Sequence, residues 1–255
     1  LLAKKVHSLY KSFNSIIYNE AFMVKTVIIG GSSGMGLAAA KSLYAKGHEI
    51  IIASRSKEKL EKAAQHIGKA TTYTLDFTKE EELLHFFQSI GLIDHLVITS
   101  ASFVMGPFLK MSTQDAKDFF DHKFWGQYLA AKIGAPFIKQ GGSITFFCGI
   151  AGHKPFQHFA AGCAINAAIE GLTRALALEL SPLRVNAISP GTIVTPVWDS
   201  MPEQERQQEF EQTAKRLPAK KVGQPEDVAK AVIYLIECGY ASGSIVYVDG
   251  GALII

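Results

Sequence analysis

Gly30, Gly34 and Gly36 recur as G-x-x-x-G-x-G within Gly30-Gly31-Ser32-Ser33-Gly34-Met35-Gly36. Without Cβ atoms, such a loop turns tightly and lets its backbone approach a pyrophosphate. The N-terminus of a following helix adds N–H donors and a partial positive charge. Gly30, Ser32, Ser33, Gly34, Met35 and Gly36 are therefore the expected phosphate contacts. A second apolar run ends in Ala53-Ser54-Arg55. It carries no acid that would hold ribose hydroxyls and repel a 2′-phosphate, and Arg55 offers a bidentate fork to such a phosphate. Ser54 and Arg55 thus favour NADP(H) over NAD(H), against the plainer reading of Arg55 as a solvated surface side chain.

These residues need a scaffold, and the hydrophobic pattern supplies one. From position 24 onward, short apolar runs alternate with segments of helical periodicity. Strands are expected at 24–29, 49–53, 71–75, 93–99, 143–148, 184–188 and 244–248. Helices are expected at 36–46, 57–66, 79–89, roughly 113–139 with an irregularity near Gly126, 158–180, 202–216 and 225–237. The helix at 158–180 carries an apolar face of Ile165, Ala168, Leu172, Ala175 and Leu176. Strands alternating with helices predict one α/β domain, a doubly wound parallel sheet of Rossmann type covered on both faces.

At 255 residues and 48% apolar composition, the chain is long enough for one such domain with a large core. No apolar run is long enough to span a bilayer, and the net charge of +3 comes from scattered lysines and arginines. Neither a membrane nor nucleic acid is an expected partner. Cys148, Cys163 and Cys238 lack metal-ligand spacing and are odd in number, which suits reduced thiols in the cytoplasm and no metal site. Residues 1–22 are lysine-bearing, hold one acid (Glu20) and share no pattern with the rest of the chain, whereas Met23 looks like a natural start. They read as a tag, a mis-called start or a targeting segment outside the domain that spans 23–255.

Further motifs sharpen this. Asp76-Phe77 follows the third strand, and Arg184-Val185-Asn186-Ala187-Ile188-Ser189-Pro190-Gly191 precedes Ile193 and Thr195. Gly223-Gln224-Pro225-Glu226-Asp227 and Val248-Asp249-Gly250-Gly251 stand near the end. With the glycine loop, they make the chain from about position 24 onward resemble the short-chain dehydrogenases/reductases. That resemblance implies adenine contacts at Asp76 and Phe77, cofactor contacts at Ser100 and Ala101, and nicotinamide-side contacts at Pro190, Gly191, Ile193 and Thr195. It also implies self-association as a homodimer or homotetramer through the helices at 113–139 and 158–180.

Members of that family use a Tyr as general acid/base, a Lys one helical turn later to lower the Tyr pKa, and a Ser and an Asn as orienting groups. Matched residue by residue, the Asn position falls on Lys123, the Ser position on Gly149, and the Tyr-x-x-x-Lys frame on Gly162 through Asn166. Ile98-Thr99-Ser100-Ala101 replaces the family's Asn-Asn-Ala-Gly turn. One positioned acid/base is worth roughly 10²–10⁴ in rate, so the usual mechanism is not expected. Candidate replacements are Lys123, His153 and His158, each weighed against a surface role, while Cys148 and Cys163 read as inert thiols. Gly149 and Gly162 are expected to open space for a larger ligand or a bound water network. The resulting alternatives are an NADP(H)-dependent oxidoreductase acting on an activated carbonyl, enone or imine, and a catalytically silent NADP(H)-binding protein serving as redox sensor or assembly subunit. A small substrate lid is expected near 197–217, with Trp198 and Phe210 as apolar contacts.

Overall fold

The apolar runs become seven strands: β1 (Lys25–Ile29), β2 (Glu49–Ser54), β3 (Ala70–Thr74), β4 (Ile93–Ile98), β5 (Ile138–Phe147), β6 (Arg184–Pro190) and β7 (Ile245–Val248). They form one sheet in the order β3-β2-β1-β4-β5-β6-β7, with every neighbouring pair parallel. This is a computed structural model, and it describes residues 23–99 and 103–255. The expectations for residues 1–22, and for contacts at Ser100 and Ala101, lie outside the described residues.

Side chains alternate across the sheet, so each face meets its own helices. Val27, Ile29, Ile51 and Ile98 pack with α3 (Glu80–Ile90), α4 (Thr113–Phe120), α5 (Gly126–Gly134) and α6 (Ala160–Glu179). Ile28, Ile50, Ile52 and Val97 pack with α1 (Gly34–Ala45), α2 (Lys57–Ile67) and α8 (Pro225–Glu237). The expected doubly wound three-layer fold is present. Among the described residues no helix is long and apolar enough to cross a membrane.

Two polar side chains of β6 hold the end of α8 and the turn that follows it. The guanidinium of Arg184 donates to the carbonyls of Leu235, Ile236, Cys238 and Ala241. It thereby satisfies the C-terminal carbonyls that a helix leaves without partners. Asn186 donates to Ala241 O and accepts from the Ser244 amide, at 2.8 and 3.0 Å.

Most boundaries agree with the sequence expectation to within two residues, and three differences have a visible cause. The helix expected over 113–139 is broken: between α4 and α5, Asp121–Trp125 forms a π-helical turn, and after α5 the chain passes through a 3₁₀ turn at Ala135–Phe137. Pro136 lacks an N–H and cannot continue the α-helical ladder. β5 starts at Ile138 rather than 143, and its pairing with β4 slips between Ile93↔Ile138 and His95↔Ser143. Gly141, at φ +85°, lies in the slipped stretch and supplies the backbone that such a bulge requires. Finally, the helix expected from 158 begins at Ala160, because His158 is left-handed at φ +62°.

Candidate active site and cofactor crevice

The chain leaves β1 in one direction to build β2 and β3, and returns to build β4 to β7 on the other side. The carboxyl ends of β1 and β4 therefore border the crevice where such sheets bind ligands. The glycine loop follows β1 there, and Thr99 follows β4. The Thr99 hydroxyl donates to Gly30 O at 3.1 Å and fastens the two loops together. A Cβ at Gly36 would overlap the Gly30 carbonyl and the Thr99 hydroxyl, so this close approach requires glycine. Gly34 is left-handed at φ +52°. Ser33 caps α1 through an extended backbone but makes no side-chain capping bond, and no acid stands in the first turn. The first N–H groups of α1 thus remain available to an anion. Ser32, Ser33, Gly34 and Met35 are all partly exposed at this loop.

At the far end of the crevice, Ser54 closes β2 with a buried hydroxyl that has no partner. Arg55 Nη1 approaches His122 Nε2 at 3.4 Å. Asp76 accepts from the Thr78 amide at 3.1 Å and from its hydroxyl at 2.7 Å. Burial opposes ionisation of Asp76, but the Thr78 hydrogen bonds, aided by Lys79 and Arg55, hold the carboxyl below its ordinary pKa. Phe77 is buried, and a Cβ on Gly126 would run into its ring, so that side chain is committed to packing under α5.

On the opposite side, Pro190 ends β6 and Gly191 lies so close to Asp249 that a Cβ would sit 2.9 Å from its Cα. Ile193 is buried and pairs with Gly223 in an isolated bridge. Thr195 returns over the glycine loop, its methyl 3.3 Å from where a Gly34 Cβ would stand. The expected lid segment holds a 3₁₀ turn at Pro196–Trp198 and α7 (Glu203–Arg216). Trp198 donates to Ile193 O at 2.9 Å and meets the Phe210 ring edge-on at 5.6 Å. A dinucleotide fits these features: free N–H groups at a helix start, glycines where backbone must come close, and an unpaired hydroxyl beside an arginine.

The positions matched to catalytic side chains gather at the end of β5. Lys123, on the π-helical turn, directs Nζ to Cys148 O at 3.5 Å. Lys123 is half-buried, and burial pushes its pKa down to about 8, with the Cys148 thiol acting the other way. Gln127 sets this geometry. It is fully buried, donates to Lys123 O and Phe147 O, and accepts from the Phe147 amide, at 2.9 to 3.0 Å. Asn166 is buried on α6 and donates to Gly162 O at 2.8 Å, leaving Oδ1 without a partner. Its side chain lies 3.4 to 3.6 Å from where a Gly149 Cβ would stand. Lys123 and Asn166 thus flank the consecutive residues Cys148 and Gly149.

The space expected at Gly162 is not open. A Cβ there would overlap the ring of Phe159, which is buried and lies 5.0 Å from the Phe103 ring and 6.0 Å from the Phe119 ring. At Gly149 the neighbour is the Asn166 amide rather than a void. Cys148 is buried and donates its thiol to Ile188 O at 3.3 Å, and burial raises its pKa to about 11, so it is inert as a nucleophile. Cys163 is a partly exposed free thiol. His153 is exposed and turned to Glu170 and to the Tyr247 hydroxyl, at 3.1 and 3.0 Å, while exposed His158 holds Gly106 through its carbonyl at 2.8 Å. Sequence reasoning missed Gln127 and Phe159. Gln127 was findable as a polar residue one helical turn after Lys123; nothing local marks Phe159. Among the described residues no group of His, Cys, Asp or Glu side chains is arranged to hold a metal ion.

A doubly wound sheet with a glycine loop at its reversal point defines a Rossmann-type nucleotide-binding protein. The family described as enoyl-(acyl carrier protein) reductase matches residues 30–252. A short-chain dehydrogenase/reductase of Stachybotrys chlorohalonatus is 34% identical over 247 residues, 89% of this chain and 96% of that protein. Carbonyl reductase family member 4 of Danio rerio is 31% identical over 238 residues, 88% of this chain and 96% of the relative. A crystal structure of a small-chain dehydrogenase in complex with NADPH is 38% identical, with a TM-score of 0.82 over 91% of this chain and 100% of that one. The chain belongs to the short-chain dehydrogenase/reductase family, and it is of oxidoreductase type.

Proposed function

We propose that this protein is an NADP(H)-dependent oxidoreductase with a divergent active site, acting on an activated carbonyl, enone or imine. Lys123 carries the reading: its half-buried ammonium has no carboxylate within ion-pair distance among the described residues, and it stands beside Cys148 at the end of β5. At the family's Asn, Ser, Tyr and Lys positions stand Lys123, Gly149, Gly162 and Asn166. Cation and amide have in effect exchanged helices. NADPH, when bound, supplies a hydride. Lys123 holds a proton at Nζ, polarises the substrate heteroatom and releases the proton to the oxygen or nitrogen that the reduction leaves basic. The free Oδ1 of Asn166 accepts a hydrogen bond from a substrate N–H, or from water that reprotonates the lysine. Activated acceptors suit this arrangement because they need less help from an acid. Support for NADP(H) over NAD(H) comes from Arg55 at an acid-free strand end and from the bound NADPH of the 38% identical relative.

One observation favours the silent NADP(H)-binding alternative: the Phe159 ring fills the side of α6 where Gly162 would otherwise face the crevice. Under either reading the protein is cytoplasmic, as its three free thiols suit, and it self-associates through α4 to α6. The test is titration with NADPH and NADH, followed by turnover of an enone, with particle mass read by sedimentation on the same sample. NADPH binding at least about tenfold tighter than NADH, with turnover, is the expected result. Tight NADPH binding with no turnover on enones, imines or activated ketones selects the silent protein. Failure to bind either nucleotide removes both readings.

A further inference from the structure

The contact between Arg55 and His122 joins the end of β2 to the π-helical turn, 67 residues apart in sequence. Alternation along β2 places Arg55 on the same face as Ile51 and Ala53, the face covered by α4 and α5, so its meeting with His122 follows from the pleat. His122 Nδ1 lies 2.9 Å from Asp118 O. A carbonyl only accepts, so Nδ1 carries the ring proton and Nε2 turns its lone pair to the guanidinium. One of five Arg55 donors is thus engaged by a neutral ring, and among the described residues Arg55 makes no ion pair. On the opposite face of β2, with Ile50 and Ile52, the Ser54 hydroxyl is buried and unpartnered. Apart from that long contact, the Arg55 guanidinium has no hydrogen-bond partner among the described residues, at the end of the crevice where the adenosine half belongs.

We propose that His122 is a specificity residue for the 2′-phosphate of NADP(H), closing with Arg55 on that group as an imidazolium while its Nδ1 stays anchored on Asp118 O. The inference rests on the NADP(H) reading and adds a residue to it. A 2′-phosphate between the two side chains displaces the long Arg55–His122 contact with charge-assisted bonds on both sides, and its negative charge stabilises the proton taken up at Nε2. Arg55, just past β2, faces the ring and also helps to lower the pKa of Asp76, past β3; the charged neighbours in sequence on the ring's own helical run are Asp118, Asp121 and Lys123. α6, packed on the same run, carries no charged residue before Glu170, and α5 carries none before Lys132.

The experiment measures binding of adenosine 2′,5′-bisphosphate and of adenosine 5′-monophosphate by calorimetry at pH 6 and pH 8, for wild type, His122→Gln and Arg55→Gln. Wild type is expected to prefer the 2′-phosphorylated ligand, and His122→Gln to lose about fivefold of that preference at pH 6 while binding the 5′-monophosphate as before. The 2′-phosphate has its own ionisation at about pH 6, which affects both proteins alike. The difference between wild type and His122→Gln isolates the ring, and it is expected to shrink at pH 8. Equal losses for both ligands would place His122 on the adenine or in the fold and overturn the proposal. So would an unchanged preference in His122→Gln; if Arg55→Gln alone then loses preference, the NADP(H) reading stands without His122. Absence of any 2′-phosphate preference in wild type defeats the proposal and the NADP(H) assignment together.

Discussion

At the scale of single residues, Lys123 and Phe159 decide what the site can do. An ammonium whose pKa is lowered to about 8 by burial is protonated below that pH and loses its proton above it. If it is the acid, the rate of substrate reduction is level at lower pH and falls as pH rises through about 8, when followed by NADPH absorbance. Lys123→Met is expected to lower kcat by roughly 10²–10⁴ with NADPH affinity unchanged, the usual value of one positioned acid. An unaltered kcat in that variant would remove the lysine from the mechanism. Phe159 makes a second prediction. The triple substitution Gly149→Ser, Gly162→Tyr and Asn166→Lys inserts a phenol into space its ring occupies, at a cost of about 1–3 kcal/mol from overpacking. That triple variant is expected to melt early and stay inactive on simple ketones, whereas adding Phe159→Ala recovers the melting temperature. The glycine loop and Arg55 were legible in the sequence because their chemistry is local: a turn, a helix start, a strand end. The occupancy of Gly162's flank was not. It depends on the aromatic cluster of Phe103, Phe119 and Phe159, which assembles from three separated segments.

At the scale of elements, the π-helical turn is what points Lys123 at the end of β5. A widened turn re-aims one side chain relative to a regular helix, and Gln127 fixes the result by bonding both the turn and the Phe147 peptide. Gln127→Leu would leave the Phe147 N–H and C=O buried without partners, a cost of about 2–3 kcal/mol. A matching drop in the urea midpoint is expected, together with displacement of the pH shoulder assigned to Lys123. A stability loss that leaves the shoulder in place would restrict Gln127 to a structural role. The sequence marked the alternation of strands and helices well, since buried strands and amphipathic helices write different periods. It marked the break near Gly126 without its nature, and it placed the start of β5 late. The stretch from Gly134 to Gly142 mixes Pro136 and three glycines with apolar residues, so local propensity assigns it to neither element, and pairing with β4 decides.

At the scale of the molecule, the parallel run of all seven strands brings the loops that follow them to one edge of the sheet, and the reversal of strand order opens the crevice there. The segment after β4 and the segment after β5 both emerge there, and their exposed side chains include Phe103, Met105, Phe108, Leu109 and Phe156. Leu109 is 94% exposed and Phe108 76%, so this rim is apolar surface left in water beside the crevice. Function explains such a rim if the substrate brings apolar surface of its own to cover it. Each methylene buried on binding is worth about 0.8 kcal/mol, or roughly fourfold in affinity. For a series of enones with lengthening alkyl chains, kcat/KM is therefore expected to rise by up to about fourfold per carbon until the rim is covered, then level off. Phe108→Ser with Leu109→Ser should flatten that slope while leaving NADPH affinity alone. A slope that is flat in the wild type, or identical in the double variant, would detach the rim from substrate choice. The crevice would then take its specificity from Lys123, Asn166 and the lid alone.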